Sequence, residues 1–124
     1  MLPLSLADSD GQPPDKHTGL VQLGPELWLD LDAGLVLRAE KKNFLSIRET
    51  KILRVLVQAM RNGRQYLDAR ALAERIHLDS PDNPEHSIET SITNIRQKLG
   101  ETAYKARILQ SRRGYGYRLF PDLG

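Results

Sequence analysis

Apolar residues between Ser87 and Leu99 recur at steps of four, three and four: Ile88, Ile92, Ile95 and Leu99. At about 100° per residue that spacing draws one narrow stripe along a helix. The opposite side carries His86, Thr90, Thr93, Asn94 and Gln97, with Arg96 and Lys98 on its flanks. Solvated helix faces are commonly mixtures of Glu and Lys. This face is instead dominated by uncharged groups that donate and accept hydrogen bonds.

Upstream, the period shortens. Leu20–Leu23 is a short apolar run, and Gly24-Pro25 turns the chain. Leu27, Leu29 and Leu31 alternate with Trp28, Asp30 and Asp32, the pattern of a half-buried strand. The pattern leaves Trp28 open between an exposed face and the core. Asp32-Ala-Gly34 turns again, Leu35–Arg38 returns, and Lys41-Lys-Asn43 reads as a further turn into Phe44-Leu45. These segments predict a small antiparallel meander of hairpins.

Ser46-Ile-Arg-Glu49 has the form of a capping box, which predicts a helix to about Asn62 with Gly63 just past its end. Its apolar face is Ile52, Leu53, Leu56, Val57 and Met60. Asp68 opens a second, shorter helix with Leu72 and Ile76 inward. His77–Glu85 reads as a loop, marked by Asp79-Ser-Pro-Asp-Asn-Pro84, before the helix from Ser87, which Gly100 closes. Arg107–Ser111 and Tyr115–Phe120 then predict two strands joined at Arg112-Arg-Gly114. Tyr115 and Tyr117 are expected to divide between inside and outside. Residues 1–18 are polar and rich in Pro and Gly and read as a flexible tail, with residues 19–121 as one domain.

Composition narrows the class. The chain of 124 residues is 40% hydrophobic, enough for one packed domain. It has no cysteine, which excludes a disulfide scaffold and any thiolate metal site and fits a reducing compartment. No apolar run reaches the ~20 residues of a membrane span, and the start lacks the basic region of a signal peptide, so a cytoplasmic protein is expected. The net charge of +2 is unevenly spread. Residues 1–40 hold two cations against seven acids, and residues 41–124 hold sixteen cations against nine acids. A positive region built around helices suits a polyanionic partner.

The order is therefore α+β: an N-terminal antiparallel meander, three helices and a C-terminal hairpin with arginines at its tip, the layout of a winged helix-turn-helix. In that layout the third helix can enter a major groove and present its polar side to bases. Asn and Gln can pair with an adenine edge, Thr offers a hydroxyl and a methyl, and Arg or Lys holds phosphate. The hairpin tip then lies by the adjacent minor groove, whose negative potential draws Arg112 or Arg113.

Three segments, Leu45-Ser-x-x-Glu49, Ser87–Gly100 and Gln110-Ser-Arg-Arg-Gly-Tyr-Gly-Tyr-Arg-Leu119, resemble the OmpR/PhoB-type winged-helix domain of response regulators. The resemblance spans about Leu20 to Phe120 and implies double-stranded DNA binding in transcription regulation. It implies major-groove positions at Thr90, Thr93, Asn94 and Gln97. The backbone set is Ser91, Arg96, Lys98 and Ser111, and the wing set is Arg112, Arg113 and Tyr115. It also implies a loop at His77–His86 that touches RNA polymerase, and a dimer on tandem DNA sites. The family usually places basic residues where Thr93 and Asn94 stand here, and the receiver domain that usually precedes the module has no counterpart in this sequence. A winged helix serving as a protein adaptor, docked through the loop or the meander, is the competing expectation.

Other chemistry is thin. His17, His77 and His86 share no metal-ligand spacing, so no metal or cofactor is expected. No nucleophile has a partnered base and no acids pair in a plausible cleft, so no catalytic residue is assigned and an enzyme is not expected.

Overall fold

The structure, a computed structural model, describes residues 19–63, 66–78, 83–102 and 105–123. The tail expected over residues 1–18 lies outside the described residues. Four strands come first: β1 (Leu20–Gly24), β2 (Leu27–Asp30), β3 (Leu35–Arg38) and β4 (Lys41–Phe44). They pair antiparallel in sequence order, as a meander. Three helices follow, α1 (Ile47–Arg61), α2 (Ala69–Arg75) and α3 (Pro84–Leu99). A two-stranded hairpin, β5 (Leu109–Arg112) and β6 (Gly116–Leu119), closes the chain.

The alternation in β2 sorts its side chains as expected. Leu29 is fully buried, while Trp28 is 38% exposed on the other face. Lys41-Lys-Asn43 is not a turn. Residues 41–44 pair with β3 from Arg38↔Lys41 to Leu35↔Phe44. The reversal lies one step earlier, where Ala39 takes a positive φ of 51°. Two lysines obscure the strand because β4 is an edge, and edge strands commonly carry Lys on their solvated side.

α1 begins as its sequence predicts. The Ser46 hydroxyl accepts from the Glu49 amide at 3.1 Å, and Glu49 Oε1 accepts from the Ser46 amide at 2.9 Å. Ile52, Leu53, Leu56 and Val57 are buried. α3 begins three residues before Ser87. Asn83 caps it by accepting from the His86 amide at 3.0 Å, and Pro84 occupies the first turn. Pro at the start of a helix needs no amide partner, so residues that resemble loop punctuation are here a start signal.

The core is a single cluster shared by all layers. Val21, Leu29 and Val36 come from the meander, Leu53, Leu72, Ile88, Ile92 and Ile95 from the helices, and Leu109 and Leu119 from the hairpin. The aliphatic stripe of α3 is thus its inward face.

Candidate nucleic-acid interface

The site is built from α3 and the hairpin. With Ile88, Ile92, Ile95 and Leu99 buried, the helix turns Glu85, His86, Glu89, Thr90, Thr93, Asn94 and Gln97 to solvent. The predicted major-groove set, Thr90, Thr93, Asn94 and Gln97, therefore shares one exposed face. Thr93 Oγ1 donates to the Glu89 carbonyl oxygen at 3.1 Å.

The expected backbone contacts fare differently. Arg96 is 5% exposed. Its Nε donates to the Leu109 carbonyl at 3.0 Å, and its guanidinium lies 5.9 Å from the Tyr117 ring centre. Burial pushes its pKa below the usual arginine value, opposed by the nearby Tyr117 and Glu101. It joins α3 to the hairpin. Ser91 is also 5% exposed and faces inward. Lys98 is half-buried and its Nζ lies 2.6 Å from Glu49 Oε1, so its charge is matched by the carboxylate that caps α1. Two flanking residues of the polar face are thereby turned to internal use. A narrow helix stripe can be widened by any side chain long enough to reach back over it.

The hairpin is fixed at its root and exposed at its tip. The Glu101 carboxylate accepts from the amides of Arg107 and Ile108, both at 2.7 Å, and of Leu109 at 3.1 Å. Tyr117 and Leu67 exchange both backbone hydrogen bonds, at 2.7 and 2.8 Å, which ties β6 to the residues that lead into α2. Gly116 makes this approach possible: a Cβ there would stand 2.3 Å from the Leu67 carbonyl oxygen. Neither Glu101 nor Leu67 has a sequence signal, because both act on backbone atoms, Glu101 on those six to eight residues ahead and Leu67 on those of Tyr117 in the wing.

At the tip, the Tyr115 amide donates to the Arg112 carbonyl at 2.9 Å, and Ser111, Arg112, Arg113 and Tyr115 are exposed. Tyr115 lies in the turn and not in the strand, which is why it is exposed while Tyr117, two residues on, packs against the core. Cations and rings stack along this ribbon. The Arg112 guanidinium is 4.3 Å from the Tyr115 ring centre, Tyr115 is 5.8 Å from Tyr66, and Arg118 lies 4.8 Å from Tyr66 and 4.6 Å from Phe120. Such contacts hold a guanidinium in place without neutralising it.

An open groove separates helix from wing. Asp68, Glu85 and Glu89 line one side, and Ser111, Arg112, Arg113 and Tyr115 line the other. Tyr117 sits at its floor, where burial first and the Glu89 charge second push its phenol pKa up. Among the described residues, no group of three His, Cys, Asp or Glu side chains is arranged to hold a metal ion. No described helix is long and apolar enough to cross a membrane.

A buried-stripe helix with a polar outer face, set beside an arginine-tipped hairpin, defines a winged helix-turn-helix. A family model described as "Transcriptional regulatory protein, C terminal" matches residues 40–119, and the chain belongs to this family of DNA-binding transcription-regulator domains of the OmpR/PhoB type. No curated protein sequence matches the chain. Solved structures do. The DNA-binding domain of Klebsiella pneumoniae RstA, in complex with the RstA box, is 22% identical with a TM-score of 0.66, over 83% of this chain and 98% of that domain. The DNA-binding domain of Escherichia coli CadC is 18% identical with a TM-score of 0.65, over 84% of this chain and 94% of that one. The response regulator DrrB of Thermotoga maritima is 25% identical with a TM-score of 0.66, over 82% of this chain and 44% of that one.

Proposed function

We propose that this chain binds double-stranded DNA in a sequence-specific manner as a transcription regulator, with α3 in the major groove and the hairpin tip at the adjacent minor groove. The observation that carries this reading is the shared exposure of Thr90, Thr93, Asn94 and Gln97 on the face opposite the buried stripe, beside exposed Arg112 and Arg113. The amides and hydroxyls suit base edges, and the arginines suit phosphate and a narrow minor groove. Ser111, exposed at the root of the tip, is a further phosphate donor in this reading. The RstA domain, of the same fold, is solved on its own DNA box. DNA contact is assigned to this module alone, acting in the cytoplasm, and two copies side by side on tandem sites are the expected arrangement.

Salt-titrated binding of the 124-residue chain to random duplex tests the reading. Affinity should fall steeply with salt, and Arg113→Ala should reduce the slope of log K against log salt by about 0.9. No binding at low salt would overturn it. Selection from a random duplex pool then yields the motif, and sedimentation on the selected duplex counts the copies bound.

One observation favours a second reading, a protein adaptor. The outward face of α3 carries Glu85 and Glu89, while both of its cations are engaged internally. The adaptor reading assigns contact with RNA polymerase to the His77–His86 loop, of which residues 79–82 lie outside the described residues. Binding to purified RNA polymerase in the absence of DNA, lost on exchange of that loop, supports it.

A further inference from the structure

Glu89 has no structural employment that accounts for it. Its carboxylate is exposed on the outward face of α3, and no ion-pair partner meets it among the described residues. Glu85 is different. It sits in the first turn, beside the Asn83 cap, where the positive end of the helix dipole favours an acid. Glu89 lies a full turn further in, beyond the reach of that effect. It also stands four residues from Glu85 on the same face, a spacing at which like charges repel. Neither the helix dipole nor an ion pair among the described residues accounts for this carboxylate. Glu89 lines the open groove between α3 and the wing tip, one turn before Thr93.

A carboxylate is an acceptor only. In the major groove, guanine presents two acceptors, N7 and O6, and thymine an acceptor and a methyl. Adenine has a donor at N6, but with the N7 acceptor beside it. Cytosine alone presents a donor, its 4-amino group, with no neighbouring acceptor on that edge. We propose that Glu89 is a specificity-determining residue of α3, accepting a hydrogen bond from the 4-amino group of a cytosine and excluding guanine from that position. This rests on the reading of α3 as the base-contacting helix. It also accounts for the absence of exposed cations from α3. The helix selects bases, and attraction to phosphate is left to Arg112 and Arg113.

Selection from a random duplex pool tests it, using the full chain and its Glu89→Gln and Glu89→Ala variants. The unaltered chain should enrich a motif with cytosine fixed at one position. Glu89→Gln should shift that single position toward adenine, which Gln can pair through N6 and N7, and Glu89→Ala should leave it without preference. The rest of the motif should stay unchanged. On the selected duplex, exchanging that cytosine for guanine should weaken the unaltered chain roughly ten-fold or more, and Glu89→Ala far less. An unchanged cytosine preference in both variants overturns the assignment of Glu89 while leaving DNA binding intact. Failure of the unaltered chain to enrich any sequence overturns the base-contacting reading of α3, and this inference with it.

Discussion

The Arg96 guanidinium donates through Nε to the Leu109 carbonyl at 3.0 Å, and this bond joins the third helix to the first strand of the wing. Glu101 holds the same short segment from the other side, accepting from the amides of Arg107, Ile108 and Leu109. Two charged side chains thus tie the end of α3 to the start of the wing through backbone atoms. Arg96→Ala should lower unfolding stability by roughly 2–4 kcal/mol, since it removes a charge-assisted hydrogen bond and leaves a buried carbonyl without its partner. Chemical denaturation measures the loss. The salt slope of DNA binding, measured well below the melting temperature, should not change, which separates this role from a phosphate contact.

Glu49 serves two ends of the helical layer at once. Its carboxylate accepts from the Ser46 amide to close the capping box, and from Lys98 near the end of α3. Glu49→Gln keeps an acceptor for the cap but loses the charge that Lys98 faces. Glu49→Ala loses both. The expected costs are about 1 kcal/mol for the first and about 2–3 kcal/mol for the second, read as shifts in denaturation midpoint. Lys98→Met should cost less than Glu49→Ala, because it leaves the cap in place.

Tyr117 makes stability sensitive to alkaline pH. Its folded-state pKa is raised, by burial first and by the Glu89 charge second, with Arg96 opposing. A raised phenol pKa means the unfolded chain loses this proton before the folded one does. The contribution is fully present below the ordinary phenol value near 10 and is lost as pH rises through the folded value. Thermal melts between about pH 8 and 11 should therefore fall at the alkaline end. Tyr117→Phe should flatten that fall.

The two glycines of the wing should respond unequally. Gly114 has a φ of 84°, and nothing lies within 4 Å of an added Cβ. Gly114→Ala should cost only the left-handed backbone penalty, about 1–2 kcal/mol. Gly116 has a φ of 114°, and its Cβ would stand 2.3 Å from the Leu67 carbonyl. Gly116→Ala should break the paired hydrogen bonds between Leu67 and Tyr117. Hydrogen exchange at those two amides should accelerate in Gly116→Ala and stay slow in Gly114→Ala.

Local signals carried most of the architecture. Leucine alternation in β2, the Ser46–Glu49 capping box and the spacing of Ile88, Ile92, Ile95 and Leu99 each act within a few residues, so each was legible in the chain. Positions with mixed signals were not. The edge strand β4 hid behind two lysines, and the start of α3 hid behind Asn83 and Pro84, residues that serve loops and helix starts alike. A helix read only from Ser87 excludes Glu85, whereas the cap at Asn83 places it in the first turn of α3.

By itself the sequence determined the winged-helix layout and an exposed amide and hydroxyl face at Thr90, Thr93, Asn94 and Gln97, because helical periodicity assigns inside and outside once the apolar stripe is known. Only the tertiary structure decided what became of the cations. Arg96 and Lys98 sit at the margin of the stripe, where a long side chain can reach either solvent or the interior. Their choice was made by a carbonyl at Leu109 and a carboxylate at Glu49, groups far away along the chain and adjacent only after folding.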